Sequence, residues 1–399
     1  MQKVKYLILG AGPAGLSFAC KLSQEGERNF LVLEKEDTAG GLCRSEIVDH
    51  APIDIGGGHF LDTKDNEVLD FLFHFMPQEE WNLFKRDSHI EIGNLQIDHP
   101  MEANIWQMNI DNQIEYLKSI AVAGCNAGIK KPELFSQWII WKLGRRIADD
   151  YMLPYNQKLF GSNFEELGTY WLEKLPNVSF EETLRSCIEK KPYGKEPAHT
   201  FFYYPKKYGY GEVWRRMADS IKNKIIYGYK VKMLDVVNRV INNEYAAEYI
   251  INTCPWSDFE LDNIPYNLKA DTNLLKYVSI CVEYDNKELA SPAQWVYIPS
   301  QEVMEHRILI RKNFITGAKG YWKEINFERY KNESNKVSYC NTYSYPVNSM
   351  DKPRIMNSLL SSMKLKNIFG LGRWGEWEHL NSDAVVRHAL NLVQIIKSG

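Results

Sequence analysis

The run Gly10-Ala11-Gly12-Pro13-Ala14-Gly15, with Glu34 further on, carries the most chemistry per residue in this chain. Glycines at this spacing allow a tight turn at Gly10, close approach of the backbone to a pyrophosphate at Gly12, and tight helix–strand packing at Gly15. An acid about twenty residues on can bond ribose hydroxyls. Three elements must hold these groups in place. Residues 4–9 form a short apolar β-run, residues 16–24 suit a helix with Leu16, Ala19, Cys20 and Leu22 inward, and residues 29–33 form a second β-run ending at Glu34. Strand, glycine turn, helix, strand and acid make a dinucleotide-binding βαβ unit. A purely structural glycine turn is the alternative, and it does not account for the whole spacing.

Other segments carry chemistry more quietly. Lys35 leads to Gly40-Gly41-Leu42, a second glycine pair suited to backbone near a long cofactor. Gly56-Gly57-Gly58-His59 costs backbone entropy and implies close approach or positive φ. It reads either as a structural loop or as a loop against a cofactor ring. Gly209 and Gly211 precede a helix and suggest backbone near a ligand, or simply a strand and turn. Tyr297 and Arg307 are ten residues apart on strand-like segments, with Arg311 close by as a competing arginine. Gly370-Leu371-Gly372-Arg373 joins a β-run to a helix expected from about residue 382 to 396, an arrangement suited to an anion.

Composition sets bounds. The chain has 399 residues, 44% hydrophobic and 25% charged, with net charge −3. These are globular values and imply no general nucleic-acid partner. No apolar run approaches a membrane span, and the first β-run begins without a leader. The seven cysteines are scattered, which suggests a reduced, cytoplasmic chain. No metal-ligand spacing is present. Residues 105–190 look mainly helical, with breaks at Gly124, Pro132, Pro154 and Pro176, and with Ile114, Leu117, Ile120 and Ala121 at helical spacing. Residues 90–104 suggest a hairpin turning at Gly93-Asn94, followed by an extended His99-Pro100 step.

Taken together, these segments resemble the UDP-galactopyranose mutase-like family within the FAD-dependent amine oxidase and protoporphyrinogen oxidase superfamily. The later motifs carry the more specific likeness: Pro154-Tyr155-Asn156-Gln157-Lys158, the Trp-x-Tyr-x-Pro of residues 295–299, Tyr345-Pro346, and Gly372-Arg373-Trp374-Gly375. The resemblance implies an α/β fold: a Rossmann-type FAD-binding domain with an inserted helical domain and an antiparallel β-sheet substrate domain. Residues 1–95, 201–265 and 346–399 would form the FAD domain, 96–200 the helical insertion and 266–345 the sheet. FAD would contact Gly10, Gly12, Pro13, Ala14, Gly15, Glu34, Lys35, Gly41, Leu42, Gly57, Gly58, His59, Val231, Arg373, Ser382 and Asp383. Substrate would meet Asn156, Lys174, His199, Tyr297, Arg307, Tyr345 and His379, with His59, Arg307 and Arg373 carrying the catalytic roles.

The implied activity interconverts pyranose and furanose forms of a UDP- or dTDP-linked hexose, for cell-surface polysaccharide precursors, by attack of reduced FAD N5 on the anomeric carbon. An external reductant would be needed, since no second glycine fingerprint marks a nicotinamide site. The chain departs from the family at Lys174, where the family's lid has an arginine, and at His379, where it has a tyrosine. Two other readings stay open: a flavin oxidoreductase of the amine oxidase type, and a non-catalytic FAD protein.

Overall fold

The computed structural model describes residues 1–172, 178–193, 200–332 and 336–398. Lys174 and His199 lie outside the described residues. Strand Gln2–Leu9 runs through an eight-stranded sheet, parallel to Phe30–Leu33 on one side and Tyr245–Asn252 on the other. Tyr6 and Ile8 join the core on one face, Leu7 and Leu9 the core on the other, because alternate side chains leave a strand on opposite faces. A strand buried on both faces needs the unbroken apolar run seen here. Ile225–Ile226 and Ile368–Gly370 extend the parallel set. One sheet is thus built from three separate stretches of chain. Helix Pro13–Gln24 packs against the last helix, Ser382–Ser398, on one face of it.

A seven-stranded sheet forms the second layer. Its strand Tyr277–Asp285 lies between Ser338–Pro346 and Tyr321–Asn326, both antiparallel to it. Arg307–Leu309 and Trp295–Tyr297 follow, and the hairpin Ser88–Ile92/Leu95–Asp98 completes the sheet. The hairpin turns at Gly93-Asn94 as expected. The expected boundary at residue 95 falls inside this hairpin, whose strand Ser88–Ile92 pairs in parallel with Trp295–Tyr297. That long-range pairing leaves no mark in the local pattern. The His99–Pro100 peptide is cis, and Pro100 has the expected extended backbone (φ −79°, ψ 149°).

The helical layer includes Ile110–Ala121, Phe135–Ile147, Leu153–Phe160 and Phe180–Glu189. Pro154 does not break it. The proline occupies the first turn of Leu153–Phe160, where its missing N–H costs little. The kink falls at Gly144 instead, with φ 76°. In Ile110–Ala121 the buried face is Tyr116 and Ile120, while Ile114 and Ala121 are exposed. Among the described residues no helix is long and apolar enough to cross a membrane.

One cysteine expectation is corrected. Cys281 and Cys340 are register partners on adjacent antiparallel strands and are joined by a disulfide. They are 59 residues apart in sequence, so only the strand pairing reveals them. Cys20, Cys43, Cys125, Cys187 and Cys254 are free thiols.

Candidate functional site

The glycine turn and Glu34 meet at the carboxyl ends of the parallel strands. Glu34 accepts a hydrogen bond from the Ala11 N–H (2.6 Å) and another from the Glu36 N–H (3.0 Å). The acid thereby fixes the turn before the helix begins. Gly12 is the N-cap of that helix and Pro13 follows it, so the first-turn N–H groups open on the groove side. A Cβ on Gly15 would lie 1.9 Å from the Gly10 carbonyl oxygen, so Gly15 is required for packing. A Cβ on Gly12 would meet nothing nearer than the Gly41 Cα, at 3.8 Å. Gly12 is therefore not needed for packing, and leaves the groove open between the two glycine turns.

This groove is a cavity of about 420 Å³. It runs from Glu34, Lys35, Val231 and Asp258 past Gly10, Gly12, Pro13, Ala14, Gly41 and Leu42 to Cys43, His59, Arg373 and Ser382. Gly57, Gly58 and Asp383 lie outside its lining. Gly209 and Gly211 serve packing: a Cβ on either would strike Ser45.

A second cavity, of about 180 Å³, is lined by Gly58, His59, Asp62, Arg86, Trp295, Arg307, Tyr345, Arg373, His379 and Ser382, among others. His59, Arg373 and Ser382 line both cavities. These three residues mark the seam where a molecule in the groove and one in the second cavity would meet. Asn156 and Tyr297 line neither cavity. The Asn156 amide donates to the Met152 carbonyl of its own helical stretch (2.7 Å). Tyr297 stands one step behind, its hydroxyl accepting from Arg86 (2.7 Å).

Electrostatics at the seam are set by burial. His59 is pushed down to about 4, first by desolvation and then by the Arg373 charge. It is a neutral imidazole near pH 7. Its Nδ1 lies 2.9 Å from the Gly57 carbonyl oxygen; a carbonyl only accepts, so Nδ1 carries the proton and Nε2 a lone pair. Arg373 donates to the carbonyls of Leu380 and Ser344 (2.9 Å each) and lies over the Tyr345 ring. Arg307 pairs with Glu324, whose Oε2 accepts from Nε at 2.9 Å. That pairing raises Arg307 well above the ordinary guanidinium value despite burial. Arg311, the competing arginine, is wholly buried and donates to the carbonyls of Lys319, Val48 and Ala51. It fastens one strand pair to another and faces neither cavity.

Sequence reasoning missed Arg86, Asp62 and Glu324. Arg86 and Asp62 sit in no motif. Glu324 gave no clear signal, because it stands beside Lys323 in the mixed strand Tyr321–Asn326. Among the described residues one group has metal-ligand types together, Asp87, His89 and Asp98. There the His89 Nε2 lies 2.9 and 3.2 Å from the two carboxylates, and the group lines neither cavity.

The groove sits on a Rossmann-type βαβ unit. Residues 8–75 match the family described as an NAD(P)-binding Rossmann-like domain. Among solved structures, a reduced UDP-galactopyranose mutase superposes with a TM-score of 0.88 at 21% identity, covering 100% of this chain and 94% of that one. A putrescine oxidase bound to putrescine superposes at 0.62 and 13% identity, with full coverage of both chains. A curated protein of Methanothermococcus thermolithotrophicus, from the nifH2 3' region, is 49% identical over 53 residues. That match spans 13% of this chain and about half of that protein. The fold is accordingly the one shared by the mutase and the oxidase, with a Rossmann domain, an antiparallel sheet and a helical layer.

The residues present fit FAD. Glu34 lines the groove at the end of the second strand, where an acid can bond ribose hydroxyls, and the Gly12–Gly41 gap is a cradle that a Cβ would fill. The groove continues past this gap to a buried, positively charged seam, as a cofactor longer than a single nucleotide requires.

Proposed function

We propose that this chain binds FAD in the groove and acts as a flavin-dependent sugar-nucleotide mutase. It would interconvert pyranose and furanose forms of a UDP- or dTDP-linked hexose. The observation that carries this reading is the seam: the groove's inner end opens, through His59, Arg373 and Ser382, onto a cavity lined by Arg307, Tyr345 and His379. Anion-holding groups stand beside the position of the flavin ring.

Bound FAD, when reduced, supplies a nucleophilic nitrogen for the anomeric carbon. The chain's residues do the rest. Arg307 holds the diphosphate and stabilises its charge as the sugar leaves it. Tyr345, with its hydroxyl kept protonated by burial, donates to the same group. Arg373 favours an anionic reduced ring by proximity of opposite charge. Neutral His59, held by the Gly57 carbonyl, lies against the ring without adding charge. His379, whose ring is 4.9 Å from that of Tyr345, positions the sugar, and Asn156 and Tyr297 support the site from behind. Lys174 and His199 remain candidates for the sugar and diphosphate. An outside donor reduces the flavin.

The test is titration of the purified holoprotein with UDP- and dTDP-hexoses, oxidised and dithionite-reduced, following flavin absorbance and product ring form by chromatography. Furanose product from the reduced form, with no net change in flavin redox state, is the expected result. Flavin reduction by an amine or another organic substrate, with nucleotide sugars inert, would instead assign an oxidoreductase.

A further inference from the structure

Arg86 has no role in the reading so far, yet its side chain is the least compensated charge at the second cavity. Its backbone is fixed from three sides. Its N–H donates to the Thr200 carbonyl (2.9 Å), the next N–H, of Asp87, to the Gln294 side chain (2.6 Å), and the Gln294 amide returns to the Lys85 carbonyl (3.2 Å). The guanidinium carbon lies 5.0 Å from the centre of the Trp295 ring, a stacking that suits arginine and not lysine. Nη2 donates to the Tyr297 hydroxyl at 2.7 Å. Nε is buried and finds no hydrogen-bond partner among the described residues.

The three arginines at the cavity differ in what already satisfies them. Arg307 is paired with the Glu324 carboxylate, and Arg373 donates to two carbonyls. Among the described residues no carboxylate pairs with Arg86. A half-buried guanidinium that is stacked and oriented, lines the cavity and has no carboxylate partner among the described residues is set to receive an anion. Tyr297 links it to Arg307. Tyr297 and Arg307 are direct register partners across antiparallel strands. Because Tyr297 accepts from Arg86, its own hydroxyl proton is left to donate.

We infer that Arg86, in the link just before strand Ser88–Ile92, is the second guanidinium of an anion clamp that, with Arg307 on strand Arg307–Leu309, grips the diphosphate of a nucleotide-linked substrate. The inference rests on the second cavity being the substrate's diphosphate site, as proposed above. Two guanidiniums lining one cavity can each take one phosphate of a diphosphate.

The experiment compares binding of UDP and dTDP with that of uridine and thymidine to the holoprotein, for the natural chain and for Arg86→Ala, Arg86→Lys and Arg307→Ala. Flavin absorbance checks that each variant is folded and loaded. Arg86→Ala should weaken the diphosphates about tenfold or more, the loss of one charge-assisted pair, and leave the nucleosides unchanged. Arg86→Lys should restore part of the loss, and added salt should matter less in Arg86→Ala than in the natural chain. If Arg86→Ala binds the diphosphates as tightly as the natural chain while Arg307→Ala does not, the anion site stands and Arg86 is outside it. If the natural chain binds diphosphate no better than nucleoside, the site reading itself falls, and the clamp with it.

Discussion

Glu324 and Arg307 face each other as register partners on adjacent antiparallel strands, and the carboxylate holds more than the arginine. Its second oxygen accepts the Gly58 N–H at 2.9 Å. One buried acid therefore ties an arginine of the second cavity to the loop that carries His59. The Gly57 backbone, at φ 94°, passes so close that a Cβ there would lie 2.7 Å from the same oxygen. The glycine at 57 makes room for Glu324.

Replacing Glu324 by Gln should be costly. It leaves a buried guanidinium uncompensated, which typically destabilises by about 3–5 kcal/mol. Urea unfolding of the variant would measure this. A loss under about 1 kcal/mol would mean that Arg307 does not depend on the pair.

Two buried acids should make stability depend on pH in opposite directions. Glu324 is held down to about 2, because Arg307 and the Gly58 N–H outweigh its burial. Its contribution is present above its ordinary value near 4.5 and is lost as pH falls towards 2. Asp54 is raised from 3.8 to about 7, because burial outweighs hydrogen bonds from Ser45 and Tyr204. Its contribution is present below 3.8 and is lost as pH rises through about 7. Melting temperature followed from pH 5 to 9 should fall between pH 5 and about 7 and level off above it, and Asp54→Asn should flatten that fall. An unchanged slope in Asp54→Asn would remove Asp54 as its source.

Gly12 and Gly15 should separate cofactor binding from folding. Gly15→Ala places a Cβ 1.9 Å from the Gly10 carbonyl oxygen, and overpacking of this kind costs about 1–3 kcal/mol. Gly12→Ala meets only ordinary contact with Gly41. Its apoprotein should melt close to the natural chain while flavin content of the purified protein drops sharply. Full flavin content in Gly12→Ala would show that the cofactor does not pass between the two glycine turns.

Arg307→Ala should weaken nucleotide-sugar binding by about 2–4 kcal/mol if the arginine meets a desolvated diphosphate. Equilibrium titration against the natural chain measures it, and unchanged affinity would take Arg307 out of the substrate site.

What was legible in the sequence was local. The glycine turn, its flanking strands and Glu34 lie within one short stretch, and spacing alone fixes their geometry. Tyr345, Arg307 and Arg373 could be singled out through short motifs. Arg86 and Glu324 could not, because their roles come from strand pairings: Trp295 with Ser88, far apart in the chain, and Arg307 with Glu324, across two consecutive strands. The Cys281–Cys340 bridge and the membership of the Ser88–Asp98 hairpin in the substrate-side sheet were hidden for the same reason. Gly209 and Gly211 mislead in the other direction, since close packing on Ser45 and close approach to a ligand demand the same residue.

The groove begins at Gly10 and is closed by Val385, on a helix that packs against Pro13–Gln24. A ribosome releases the start of this site long before its end. The phosphate-binding turn must therefore wait, without its final wall, while more than three hundred further residues are made. The groove gains its last wall only once the helix that carries Val385 has been made.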